Sequence, residues 1–186
     1  MSQLSLIQSP SSASGADGAT HATSAPARQK PRFLARDAVA HAWREALAPR
    51  VIAMVEHSDS IFLATADADG APYVQHRGGP PGFLHVLDAH TIAFADFGGN
   101  RQYTTVDNLA ENPRAFLFLI DFARGQRIKF AGTARVSTDA ELMARLTPPG
   151  YPAEVERAIV FDVAAWSANC SQHIPHLVPA GAATGG

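Results

Sequence analysis

From Ser60 to Trp166 the apolar residues fall in short runs separated by turn-forming residues, which is the pattern of β-strands. Ser60 to Ala66 reads as a strand, and Asp67-Ala68-Asp69-Gly70 as a turn in which Gly70 can take positive φ. Ala71 to Arg77 is the returning strand of that hairpin. Gly78-Gly79-Pro80-Pro81-Gly82 is a loop, because its prolines and glycines cannot support a ladder. Phe83 to Leu87 and Thr91 to Phe97 form a second hairpin through Asp88-Ala89-His90. Arg114 to Phe122 is a strand with an apolar centre on both faces, so it needs cover from a helix or a second subunit. After a turn at Ala123-Arg124-Gly125, Arg127 to Val136 continues the sheet, and Arg157 to Trp166 is the last strand.

The helical period is weaker. Val39, Trp43 and Leu47 fall at i, i+4 and i+8, which predicts a helix that stops near Pro49. A short helical piece follows from Val51 to Glu56, and another spans Thr104 to Glu111 before Asn112-Pro113. Thr138-x-x-Glu141 is a capping box that opens a helix from Ala140 to Leu146. About seven short strands joined largely by hairpins, with no βαβ alternation, argue for an antiparallel barrel rather than a doubly wound sheet.

Composition sets the outer bounds. The 186 residues suit one domain, expected over residues 31–178, with enough apolar content (46%) for a core. Residues 1–30 are Ser-, Ala-, Gly- and Pro-rich and read as a disordered tail, and residues 179–186 as a frayed end. A net charge of -2 offers no general attraction to nucleic acid or an acidic membrane. No apolar run approaches the ~20 residues of a membrane span, no signal peptide is visible, and the single Cys170 permits no intrachain disulfide. A cytoplasmic protein is the expectation.

The chemistry concentrates in Phe94-Ala95-Asp96-Phe97-Gly98-Gly99-Asn100-Arg101-Gln102-Tyr103. A strand runs through a glycine pair and presents a guanidinium and two amides just ahead of a helix. Unsatisfied backbone N–H groups and the helix dipole favour an anion at such a place, and Arg101 adds a bidentate fork. Cys170-x-x-His173-x-x-His176 has metal-ligand residue types, but Pro175 intervenes and no fourth ligand is evident, so no metal is assigned.

Three blocks carry a resemblance: Ala71 to Phe83 with Tyr73-Val74-Gln75-His76-Arg77-Gly78-Gly79-Pro80, then Phe94 to Tyr103 with Asn108-Leu109, and finally Asn169 to Pro175. Together they resemble an uncharacterised bacterial branch of the pyridoxamine 5′-phosphate oxidase-like FMN-binding proteins. The resemblance covers roughly Val51 to Pro175. It implies a mainly β fold with peripheral helices: a six-stranded antiparallel Greek-key split barrel, working as a homodimer with FMN in clefts shared by both subunits. By similarity Gln75, His76 and Arg77 lie on the barrel side of the phosphate and ribityl chain, and Asn100, Arg101 and Gln102 at the helix start. Gln126, Arg127 and Lys129 open a strand whose family counterpart passes the flavin ring. Arg127 or His173 would stabilise charge on a reduced ring, Gln172 lies beside His173, and Trp166 either stacks on the ring or serves packing. Two departures stand out: Gly98 replaces a common arginine, and Trp166-Ser167-Ala168 replaces Trp-Asp-Trp.

The resemblance therefore implies an FMN-dependent oxidoreductase acting on a small organic substrate, with a reduced nicotinamide as one route for electrons. The catalytic residue is open, with His76 and His173 as candidates. A non-catalytic flavin- or haem-binding protein is the alternative. No nucleic acid or membrane partner is expected.

Overall fold

The computed structural model describes Leu34 and residues 43–99, 102–168 and 172–177. In chain order come α1 (Pro49–Glu56), β1 (Ser60–Ala66), β2 (Pro72–Gly78), β3 (Leu84–Asp88) and β4 (Thr91–Phe97). There follow α2 (Thr104–Glu111), β5 (Arg114–Asp121), β6 (Gln126–Ser137), α3 (Ala140–Leu146) and β7 (Val155–Ala168). The strands make one sheet of order β2-β1-β5-β6-β7-β4-β3, antiparallel throughout. There are seven strands, matching the seven short runs read from the sequence, and not the six that the resemblance implied.

The sheet curls. Leu63 of β1, Phe94 of β4, Leu117 and Leu119 of β5, Phe130 of β6 and Phe161 of β7 share one core cluster, although their strands span most of the order. Arg77 on the end strand β2 forms an ion pair with Asp96 on β4, five places away in the sheet, which only a curled sheet allows. Val51 and Val55 of α1 and Leu109 of α2 add to the same core. β4 and β7 are buried on their second face as well: Ala93, Ala95, Ala158 and Val160 pack under Leu142, Met143 and Leu146 of α3. Small residues on those strands let the helix backbone come close.

Gly132 is required where it stands. The β6–β7 register shifts at Ala131/Gly132, and a Cβ at Gly132 would run into the carbonyl oxygen of Asp162.

Two helix boundaries differ from the sequence expectation. Trp43 to Ala48 is not helical: Arg44 bridges Trp166 by two backbone hydrogen bonds of 2.9 and 2.7 Å, and the Leu47 N–H donates to Ala89 O. Pro49 opens α1 rather than closing an earlier helix, since its fixed φ and missing N–H suit a first turn. Val39 lies outside the described residues. At α3 the cap is Asp139 rather than Thr138; its side chain accepts from the Leu142 N–H at 2.7 Å. Among the described residues, no helix is long and apolar enough to cross a membrane.

Candidate functional site

Strand alternation decides which of the candidate residues meet. Along β2, Tyr73, Gln75 and Arg77 are half-buried, while Pro72, Val74 and His76 are exposed. Gln75 and Arg77 therefore share a face, and His76 points the other way. Gln75 Oε1 accepts from Thr105 Oγ1 of α2 at 2.8 Å, which ties the second strand to the first turn of the helix. Deeper in, Asn108 Nδ2 donates to Thr65 Oγ1 at 3.0 Å. These two bonds position the start of α2 against β1 and β2.

Arg77 reaches the C-terminal end of β4, where Nη1 pairs with Asp96 Oδ1. Arg157 lies directly across from Asp96 in the β4–β7 ladder, and its Nε is 3.3 Å from Asp96 Oδ2, without the alignment of a hydrogen bond. Its Nη2 pairs with Glu156, and its guanidinium stacks on the Tyr103 ring at 4.8 Å. The Asp96 side chain is 7% exposed. Burial pushes its carboxyl above the usual range, Arg77 and Arg157 pull it back, and Glu156 adds to the rise. Two guanidiniums thus flank one buried carboxylate where β4 leaves the sheet. Their Nε atoms are both buried without a hydrogen-bond partner among the described residues.

Of the residues expected at the helix start, Asn100 and Arg101 lie outside the described residues. Gln102 is exposed just ahead of α2. The N-cap position, Tyr103, supplies no side-chain cap, so the first turn of α2 is left to other acceptors.

The remaining candidates fall into two other places. His76 is on the outer face, hydrogen-bonded through Nε2 to Ser60 Oγ at 2.8 Å and edge-on to Phe62. The register aligns His76, Phe62, Phe118 and Lys129 in one row across four strands. Lys129 Nζ stands 5.4 Å from the Trp43 ring, and Arg127 is half-buried with its Nε lacking a hydrogen-bond partner among the described residues. Trp166 belongs to the core: it is 1% exposed, its Nε1–H donates to Ala46 O at 2.8 Å, and Arg44 lies over its ring. That ring offers no face to a flavin as it stands, because packing has used both. Gln172 and His173 are exposed, and His173 has φ 63°, rare for a residue with a side chain.

Sequence reading missed Asp96 as the partner of Arg77, and Arg157 with Tyr103 as the rest of the cluster around that carboxylate. One signal was available: Asp96 has the same parity as Ile92 and Phe94 in an otherwise apolar strand, which places a carboxylate on the core face.

A curled antiparallel sheet with peripheral helices, and a cation pair where a strand hands over to a helix, describes a mainly β protein with an anion-compatible rim. Within that class the chain belongs to the pyridoxamine 5′-phosphate oxidase family, whose model matches residues 47–170. Solved structures of similar fold include HupZ from Group A Streptococcus, at 17% identity and TM-score 0.53, covering 67% of this chain and 98% of that one. Others are an FMN-binding protein from Syntrophomonas wolfei subsp. wolfei (17%, TM-score 0.46, 65% and 87%) and HutZ, the haem storage protein from Vibrio cholerae (18%, TM-score 0.41, 63% and 90%). At 17% identity the likeness to HupZ is one of fold alone. No curated protein matches the chain.

Proposed function

We propose that this protein is an FMN-dependent oxidoreductase of small organic substrates, built as a split barrel and working as a homodimer. The observation that carries the reading is the pair of guanidiniums, Arg77 and Arg157, held by Asp96 beside the start of α2 with buried N–H groups still unused. A phosphate monoester suits that donor set, since charged N–H···O bonds to an oxyanion are the strongest available to it. The residues therefore fit a flavin mononucleotide. Gln75, Arg77, Asn100, Arg101 and Gln102 would hold its phosphate and ribityl chain, and Arg127, Lys129, Gln172 and His173 would lie toward its ring. When bound, the flavin supplies the two-electron chemistry. The chain's own part is to bind and orient it: Asp96 fixes Arg77 and Arg157, and the Gln75–Thr105 bond keeps β2 aligned with the helix start.

The dimer rests on a separate feature. On the outer face of β2, β1 and β5, Val74 is 60% exposed and Phe62 37%, and Phe118 continues the row. A second copy would cover this face and bring His76 and Lys129 near the seam between subunits.

A second reading is favoured by His173 alone: exposed, at positive φ and without a hydrogen-bond partner among the described residues, it is free to serve as an axial ligand to haem. The absorption spectrum of the purified protein separates the two. Flavin bands that bleach on adding a reduced nicotinamide support the oxidoreductase. A Soret band supports haem binding, and a colourless protein that takes up neither overturns both.

A further inference from the structure

One face of α1 and its C-cap looks toward the β5–β6 turn across an open pocket of about 320 Å³. Arg50, Ala53, Met54 and His57 line it at i, i+3, i+4 and i+7, one stripe of the helix, while Val51 and Val55 on the opposite stripe are sunk in the core. Asp121, Arg124 and Gln126 close the other side. The turn is braced. The Asp121 carboxylate accepts from the Arg124 N–H at 2.9 Å and from Nη1 at 2.8 Å, which locks the turn. The C-terminal segment holds it from behind, with the Leu177 N–H donating to Phe122 O and His176 Nδ1–H to Ala123 O.

The charges in this pocket do not cancel. Burial raises the Asp121 carboxyl, but the Arg124 bonds outweigh it and hold the group below its usual range, so it is ionised and already matched by Arg124. Arg50 has no acidic partner among the described residues. His57 uses Nδ1–H on Ala53 O at 2.7 Å, which leaves Nε2 as its remaining polar atom. The floor of Ala53 and the Met54 thioether is apolar and suits a flat ring.

We infer that this pocket binds a small organic acid: one carboxylate received by Arg50 with Gln126 at its side, and an apolar body lying on Met54. The inference goes beyond the flavin reading and does not rest on it, since it uses neither Asp96 nor the guanidiniums that flank it. Pockets of this volume lie at the small end of those that hold metabolites.

Calorimetric titration of the full chain, as purified, with benzoate, benzamide and acetate tests it. Benzoate should bind about tenfold more tightly than uncharged benzamide, the value of one charged hydrogen bond, and about tenfold more tightly than acetate, which lacks the ring. Arg50→Gln should remove the preference for benzoate over benzamide while leaving the melting temperature unchanged, because Arg50 is exposed. Arg135→Gln, on an exposed position of β6 outside the pocket lining, should change neither. Equal affinity for benzoate and benzamide, or an Arg50→Gln protein that keeps the full preference, would overturn the assignment. So would an absence of benzoate binding up to millimolar concentration.

Discussion

The two halves of the sheet treat their outer faces differently. Under α3, β4 and β7 are closed on both sides, with alanines and Val160 against Leu142, Met143 and Leu146. Across β2, β1 and β5 the outer face is more open, with Val74 60% and Phe62 37% exposed. The difference separates a part of the sheet that this chain covers itself from a part that the proposed dimer would use. The closed half supplies the rigid frame for Asp96 and Arg157; the open half carries His76 and, under the proposed function, the surface a second copy would cover.

The comparison breaks most sharply at Gly132, in the closed half. Gly132→Ala sets a methyl group against the Asp162 carbonyl in a ladder with no room to shift, so the cost should reach or pass the ~3 kcal/mol upper range of overpacking. Chemical denaturation reads it, and a loss below ~1 kcal/mol would mean that the bulge relaxes freely.

Next in size is Asp96→Ala. Removing the carboxylate leaves Arg77 and Arg157 without their shared partner, and about 2–3 kcal/mol of stability should go, less than for a fully buried pair because both arginines keep some solvent. Asp96→Asn, which keeps the shape and one acceptor, should lose less. The pH dependence has a definite sign. Asp96 holds its proton more tightly folded than unfolded, so the stability linked to that proton, as distinct from the ion pair, is fully present below about pH 3.8 and is lost as pH rises through the raised folded value. Denaturation curves of the wild type and Asp96→Asn should therefore differ in slope over that acidic window; parallel curves would remove Asp96 from the cluster's titration.

Under the proposed function, Arg101→Ala should weaken FMN binding by about 1.5–3 kcal/mol, measured by fluorescence quenching; unchanged affinity would count against that role. The smallest effect on the protomer belongs to the open face. Val74→Asp should alter the protomer's own packing by roughly 0.5 kcal/mol or less, yet shift the protein from dimer to monomer in sedimentation. A variant that sediments like the wild type would leave that face without the role proposed for it.

The strands were legible because alternation and turn residues are local signals. Gly70 takes φ 89° at its turn, and the doubly apolar run after Arg114 is β5, an interior strand flanked by β1 and β6. The failed helix through Trp43 and Leu47 shows the limit of periodicity. Backbone partners on Trp166 and Ala89 outbid a local spacing, and a proline marks a helix start as readily as a stop. In the site, contiguity misled. Gln75, His76 and Arg77 adjoin in sequence, but a period of two sends His76 to the opposite face. Asp96 and Arg157 lie far apart in the chain and meet only through the β4–β7 register, which no local pattern records.

The central claim is that the start of α2 and the arginines beside it grip a mononucleotide phosphate. The direct measurement is a paired titration of the purified protein with FMN and riboflavin, which differ only in that phosphate. Two or more charged contacts should make FMN bind about a hundredfold more tightly. Equal affinities for the two flavins, or binding of neither, would contradict it.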